Sequence, residues 1–167
     1  SDWSNTVEIT TLADLAKGLI AHYTFTAGDA NDQSGNNNNL VVNNNEGMAT
    51  TGDRNGDDGN AYLFNGSNDF MSVNVTGHPK GEVDITYMAW INPSKTHTGV
   101  ILDIGQISTN NRSLFFLNNG ALSYATHGND TVTSTLAIAL NKWTHVAVTK
   151  SGSSIAFYVN GSIMDLL

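Results

Sequence analysis

The sequence predicts an all-β fold, an antiparallel sandwich of two sheets, from three observations. The segment Lys142–Gly161 reads KWTHVAVTKSGSSIAFYVNG, and on each side of a short Ser/Gly turn large or β-branched residues such as Val146 and Val148, or Phe157 and Val159, recur at every second position. A period of two around such a turn is typical of a β-hairpin. Further short β-forming segments follow one another between Gly/Asn turns, and helical periodicity is almost absent. Short strands spaced in this way favour a two-sheet sandwich.

Length and composition limit the class of protein. A chain of 167 residues is long enough for one sizeable core. The formal net charge is −8 with only 7 Lys and Arg residues, which argues against nucleic acid and anionic membranes as partners. There is no cysteine, which does not fix the compartment, and no apolar run approaches the ~20 residues of a membrane span. We therefore expect no membrane insertion.

The N-terminal residues 1–17 differ from the rest of the chain. They predict a linker or a short helix, with Thr11–Lys17 forming one or two turns and Thr10 or Thr11 as the cap. The start at Ser1 does not resemble a native N-terminus, so we interpret the sequence as a processed or excised chain. One domain is predicted over residues 18–167.

The predicted strands follow in order from residue 18. Gly18–Thr26 is the first, with Tyr23 and Phe25 on one face and His22 on the other. An Asn-rich loop follows, interrupted by a short strand at residues 40–42, and the segment 50–75 gives two strands on either side of an Asn65-Gly66 turn. Further strands are predicted at Val83–Asn92, Thr98–Gly105, Arg112–Leu117, Ala121–Thr126 and Thr131–Leu140. The hairpin comes last, and Asn160-Gly161 predicts another tight turn.

These segments also contain an ordered set of motifs. They include G-L-x-A-x-Y-x-F, N-D-x-S-G-x-x-N, D-R-x-G…N-A-Y-x-F-N-G-x-N-D-F, A-W-I-x-P and W-x-H-V-A-x-T-x-S-G followed by YVNG. In this order they resemble the laminin G-like, concanavalin A-like lectin-glucanase superfamily, which also includes pentraxins. The resemblance covers Gly18–Gly161. It implies a jelly-roll sandwich, core positions for Trp90 and Trp143, and a structural calcium ion.

The end of the chain departs from that family's pattern. Members continue past YVNG with further strands, the last of which pairs beside the first strand of the domain. Here the sequence ends at Leu167. Either the sequence is truncated at its C-terminus or the end of the domain is built differently. Without that last strand, we expect Gly18–Thr26 to lack a neighbour and to form an exposed sheet edge.

The acidic residues do not favour catalysis. Glycosidases need two carboxylates at a defined separation, and the enzymatic branch of the superfamily places them on one strand. The glutamates are Glu8, Glu46 and Glu82, and only Glu82 has a carboxylate two positions away, at Asp84. Motifs for a catalytic nucleophile, a zinc protease or a phosphate-binding loop are absent. We expect no enzymatic activity.

Asp and Asn residues cluster on three predicted loops, and such oxygens suit Ca²⁺. The clusters are Asp29 and Asp32 with Asn36–Asn39, the run Asp53–Gly59, and Asn68-Asp69. Each could equally consist of turn residues, because Asp and Asn stabilise turns. The candidate metal ligands are Asp32, Asp57, Asp58 and Asp69.

Carbohydrate recognition would need an exposed aromatic ring beside polar side chains. Tyr87, Tyr124 and Tyr158 are possible platforms, and Arg112 lies in an Asn-rich turn. The candidate ligand-binding residues are Arg112 and Tyr124.

Three functions remain open. The leading hypothesis is a non-catalytic binding module for a glycan or a partner protein, within a larger secreted or cell-surface protein of bacterial origin. The alternatives are a structural or assembly domain without a ligand of its own, and a glycoside hydrolase.

Overall fold

The structure is a computed structural model that describes residues 17–43, 47–74, 83–105, 112–126 and 131–167. Two compact units are present, Ser1–His78 and Pro79–Leu167. Of the helical turns predicted at Thr11–Lys17, residues 11–16 lie outside the described residues. Within these ranges, no helix has the length and apolar character needed to cross a membrane.

The strands are short in the first unit and longer in the second. The first unit contains β1 (Val41–Asn43), β2 (Ala49–Thr51), β3 (Ala61–Leu63) and β4 (Phe70–Ser72). The second contains β5 (Ile85–Ile91), β6 (Gly99–Ile104), β7 (Ser113–Asn118), β8 (Ala121–Thr126), β9 (Val132–Ala137), β10 (Thr144–Ser151), β11 (Ser154–Val159) and β12 (Ser162–Leu166).

In the first unit, aromatic rings support two small pairs of strands. β1 pairs with β4 and β2 pairs with β3, both antiparallel. The rings of Tyr23 and Phe25 stack at 6.2 Å, and Phe25 meets Tyr62 edge-on at 5.4 Å. The Tyr62 hydroxyl donates a hydrogen bond of 2.6 Å to the carbonyl of Gly28. Ring packing therefore joins the segment before β1 to β3.

The strand predicted at Gly18–Thr26 is wrong: this segment forms no ladder with any described strand. Its backbone groups are satisfied instead by side chains of the Asn-rich loop. The carbonyl of Ile20 accepts a hydrogen bond from Asn38 Nδ2 at 2.8 Å, and the backbone N–H of His22 donates to Asp32 Oδ1 at 2.9 Å. Asn38 and Asp32 therefore bind backbone groups that a neighbouring strand would otherwise pair with.

The predicted Asn65-Gly66 turn is present, but it does not join a hairpin. Gly66 has a φ of 72°, and Asn65 Oδ1 accepts the backbone N–H groups of Ser67 and Asn68 at 2.8 and 3.1 Å. The strands on either side, β3 and β4, pair with different partners. Local turn chemistry was thus readable from the sequence, whereas the choice of pairing partner was not.

The second unit confirms the all-β class and contains two four-stranded antiparallel sheets. The hairpin sheet has the order β12-β11-β10-β5, and the meander sheet has the order β6-β7-β8-β9. A continuous apolar core contains residues of both sheets: Phe115, Leu117, Leu122, Tyr124, Ile138, Val146, Val148 and Phe157. Two sheets that share one core form the sandwich that the sequence predicts.

The predicted hairpin is confirmed and leads into one more strand. β10 pairs antiparallel with β11 from Val146↔Val159 onward. Asn160 and Gly161 have φ values of 50° and 79°, as a type I′ turn requires. This turn leads to β12, which pairs with β11 and was not predicted.

Candidate functional site

The hairpin sheet has one face in the core and one face directed outward. Along β10, Val146 and Val148 are buried in the core, so His145 and Ala147 lie on the opposite face, since side chains alternate along a strand. We call this second surface the outer face. Its members, by register, are Thr86, Met88, Trp90, His145, Ala147, Thr149, Ala156, Tyr158, Ile163 and Leu166.

Trp90 lies on the outer face, which corrects its expected core position. Its neighbours on β5, Ala89 and Ile91, pack against the core, so alternation turns the indole away from it. The residue is 44% exposed. The likeness to family motifs implied a core position for this tryptophan, and the exposed face on which it lies shows that this expectation is wrong.

Trp90 forms an aromatic pair with His145. The two residues are Cα partners across β5 and β10, and their ring centroids are 5.4 Å apart at an interplanar angle of 63°. Edge-to-face pairs at this distance are attractive. The pair therefore forms an ordered aromatic surface that solvent can reach.

The type I′ turn fixes the position of His145. The backbone N–H of His145 donates to Asn160 Oδ1 at 3.1 Å, and the N–H of Asn160 donates to the His145 carbonyl at 2.8 Å. Asn160 therefore serves the turn and also holds β10 beside the end of β11. The sequence signal for this arrangement is the Asn160-Gly161 pair itself.

The middle of the outer face carries a small side chain, Ala147. Ala147 lies between Met88 on one side and Tyr158 on the other, and it is 7% exposed. Met88, on the edge strand β5, is 63% exposed, and Ile163, on the opposite edge strand β12, is 57% exposed. The methyl group of Ala147 is therefore sheltered by the larger side chains around it.

Tyr124 belongs to the core, so its predicted role as a ligand platform is wrong. It is 1% exposed and packs with Phe115 and Leu122. Its hydroxyl lies 3.2 Å from the Ser113 hydroxyl, which satisfies the polar group inside the sandwich. Tyr87 also packs against the core, and burial raises its pKa to about 12. Of the three candidate tyrosines, Tyr158 is the one on the outer face.

Arg112 directly precedes β7 of the meander sheet, whereas Trp90 belongs to β5 of the hairpin sheet. Its guanidinium donates to both carboxylate oxygens of Asp103, at 2.8 Å from Nε and 2.7 Å from Nη2. Such bidentate pairing fixes the planar guanidinium. Arg112 is therefore already engaged with a carboxylate, and the structure does not bring it together with Tyr124 as an exposed site.

Asp32 organises the loop that follows the first segment. Its Oδ1 accepts the N–H groups of His22 and Ser34 at 2.9 Å each, and its Oδ2 accepts the Ser34 hydroxyl at 2.8 Å and the Asn38 N–H at 3.0 Å. Partial burial would raise the pKa of the carboxyl, but these hydrogen bonds outweigh it and lower the pKa to about 2.

The candidate metal ligands do not form one cluster. The four donors on Asp32 fill the lone-pair positions that a carboxylate offers. Asp69 accepts the N–H of Asn65 at 2.7 Å, and Asp57 and Asp58 are exposed. Among the described residues, no three His, Cys, Asp or Glu side chains are grouped as a metal would require. The four aspartates do not fit calcium as a set, and calcium binding stays a prediction.

Glu82 and Asp84 are the two carboxylates considered for catalysis. Glu82 lies outside the described residues, and Asp84 binds the turn between β10 and β11. Asp84 accepts the N–H of Gly152 and the hydroxyl of Ser151, each at 2.9 Å. These hydrogen bonds lower the pKa of its carboxyl. A carboxyl held in its ionised form is a poor general acid.

Comparisons with known proteins agree with this fold. The family model for the concanavalin A-like lectin/glucanases superfamily matches residues 65–165. Domain 4 of AbnA, a GH43 extracellular arabinanase from Geobacillus stearothermophilus solved in complex with arabinotriose, has a TM-score of 0.66 and 20% identity, over 89% of this chain and 74% of that one. An S-layer domain-containing protein from Clostridium thermocellum has a TM-score of 0.52 and 25% identity, over 88% and 71%. No curated protein matches the sequence significantly.

Proposed function

The chain belongs to the concanavalin A-like lectin/glucanase superfamily, and on that basis we propose that it is a non-catalytic module that binds carbohydrate. The observation that carries the proposal is the exposed Trp90–His145 pair on the outer face. Fold alone does not give a function, so the proposal depends on this surface.

The chemistry of the pair suits a sugar ring. A pyranose or furanose presents C–H groups on its faces and hydroxyls around its edge. An indole offers a flat apolar surface for the C–H groups and gives a large contact at low entropic cost. The His145 ring can exchange hydrogen bonds with hydroxyls.

Two relatives in structure support the same class of ligand and location. The arabinanase domain was solved with a bound arabino-oligosaccharide and comes from an extracellular enzyme. The second relative is an S-layer protein. We extend both features to this chain: it acts outside the cell or at the cell surface, as one domain of a larger bacterial protein. Its other partners are surface glycans or surface proteins.

A second candidate function is a structural domain of a surface assembly. The observation in its favour is the likeness to the S-layer protein at 25% identity. In that case the outer face would contact protein and would show no affinity for sugars.

The deciding experiment is a binding screen of the whole chain against immobilised neutral polysaccharides, with Trp90→Ala beside the unchanged protein. The expected result is retention of the unchanged protein and loss of retention in Trp90→Ala. Phe116→Ala is the matched control, since Phe116 is a partly exposed ring in the meander sheet, where it pairs with Val100 and Ser123. Absence of binding to every polysaccharide would favour the structural role.

A further inference from the structure

We infer that the outer face takes a neutral polysaccharide chain lying across the strands, with one sugar ring on Trp90 and a second on Tyr158. The inference rests on the proposed function and adds to it the class of the polymer, its direction and the number of stacking positions.

The strand order sets the separation of the two rings. Trp90 is on β5 and Tyr158 is on β11, with β10 between them. Neighbouring strands lie ~4.8 Å apart, so the two positions are ~10 Å apart across the sheet. They also lie two residues apart along the strands, about 7 Å, because Trp90 pairs with His145 whereas Tyr158 pairs with Ala147. One sugar ring cannot cover both aromatic side chains, so the ligand is an oligomer or polymer.

The β10 residues between the two rings are His145 and Ala147. Ala147 is the β10 residue beside Tyr158, and its methyl group is the smallest side chain in that row. A larger residue there would stand between the two aromatic positions. Because Ala147 is only 7% exposed, the sugar that links the two stacked rings passes over it and contacts His145 beside it.

The charge of the face selects the polymer. The described residues of the outer face include no Asp, Glu, Lys or Arg. The protein as a whole has a net charge of −8, which repels polyanions at long range. With no cation on the face to attract carboxylates or sulfates, a neutral glycan is the chemistry that fits.

The test measures affinity against chain length by calorimetry. The probes are arabino-oligosaccharides and xylo-oligosaccharides from mono- to hexasaccharide, with oligogalacturonides as the anionic comparison. For the unchanged protein we expect affinity for at least one neutral series to rise by about tenfold or more between monosaccharide and tetrasaccharide, and to stay constant beyond that. Oligogalacturonides should bind at least about tenfold more weakly than neutral chains of equal length.

Two substitutions separate the stacking positions. Tyr158→Ala should remove the dependence on chain length, and Trp90→Ala should weaken every neutral ligand. Trp90→Phe, which keeps a ring, should retain part of the affinity, and Phe116→Ala should bind as the unchanged protein does. Circular dichroism and melting of each variant establish that it is folded.

Different results would contradict the two stacking positions and carbohydrate binding itself. Chain-length-dependent binding that survives both Tyr158→Ala and Trp90→Ala in folded protein overturns the inference and leaves carbohydrate binding intact. Stronger binding of oligogalacturonides than of neutral chains also overturns it. Failure of every saccharide to bind overturns the proposed function together with the inference.

Discussion

Asp165 of β12 holds Thr135 of β9 by its carboxylate. The backbone N–H of Thr135 donates to Oδ2 at 2.8 Å, and its hydroxyl lies 3.1 Å from Oδ1 and 3.2 Å from Oδ2. β12 is at one end of the hairpin sheet, and β9 is at one end of the meander sheet. One aspartate therefore links the two sheets along one side of the sandwich.

Removing this link should destabilise the second unit. Asp165→Ala leaves two donors of Thr135 without their acceptor, and hydrogen bonds to charged groups contribute about 1.5–3 kcal/mol. We expect the free energy of unfolding to fall by about 2 kcal/mol, measured by urea denaturation followed by tryptophan fluorescence. Asp165→Asn, which keeps one acceptor oxygen, should lose less.

The matched control is Leu136→Ala on the same strand. Leu136 is exposed, so its removal should change the unfolding free energy by less than about 0.5 kcal/mol. Equal stability of Asp165→Ala and the unchanged protein would contradict a role for this link between the sheets.

Sequence patterns predicted the second unit better than the first. Period-two alternation located β5 through β11 because each of these strands has one face in a shared core, which requires apolar residues at every second position. In the first unit the segment Gly18–Thr26 has the same alternation, yet side chains such as Asp32 and Asn38 supply its hydrogen bonds. Alternation indicates that one face of a segment is sheltered. It does not show whether the backbone hydrogen bonds go to a neighbouring strand or to side chains.

The candidate site was predicted less well, for a related reason. Residue type suggested Tyr124 as a platform, and the family resemblance implied a core position for Trp90, whereas in the structure Tyr124 is buried and Trp90 is exposed. The signal that could have separated them is local: in the β5 segment the residues flanking Trp90 are Ala89 and Ile91, both apolar. If these face the core, the indole cannot.

The hydrogen bonds on Asp32 lower the pKa of its carboxyl to about 2, below its ordinary value. Because the folded pKa is the lower one, the stabilisation is complete above about pH 4 and is lost as the pH falls through about 2. An NMR titration of the side-chain carboxyl should give the low value directly, and Asp32→Asn should lose part of the acid dependence of unfolding. A titration midpoint at or above the ordinary aspartate pKa of about 3.9 would contradict this arrangement of donors. The exposed Asp57→Asn is the control.

Calcium binding is tested by melting in millimolar Ca²⁺ and in chelator. A ligand that binds only the folded state adds about 2.7 kcal/mol at a hundredfold excess over its Kd. From the sequence we expect Ca²⁺ to raise the melting temperature. Asp32→Ala should lose most of that response, whereas Asp103→Ala should keep it. The hydrogen bonds of Asp32 add a second expectation: Asp32→Ala should melt lower than the unchanged protein even in chelator. Identical melting of the unchanged protein with and without Ca²⁺ would show that the acidic loops serve as turns.

Hydrolysis of polysaccharides should be absent. Asp84 uses its carboxylate to close the turn between β10 and β11, and the lowered pKa keeps it ionised. A reducing-sugar assay over the neutral polysaccharides of the binding screen should therefore detect no turnover. Turnover that disappears in Glu82→Gln or Asp84→Asn would contradict this and assign the chain to the glycosidases.

An aromatic side chain in the core should contribute more to the free energy of unfolding than one on the outer face. Phe157 is fully buried between the sheets, and Phe→Ala substitutions at such positions cost about 3–5 kcal/mol because a cavity remains. Trp90 is 44% exposed, so Trp90→Ala should cost markedly less, about 1–2 kcal/mol for the part of the indole that is sheltered. Urea denaturation of both variants measures the difference. A loss in Trp90→Ala as large as that in Phe157→Ala would mean that the indole supports the fold, and any loss of sugar binding in that variant would then reflect unfolding and not a missing contact.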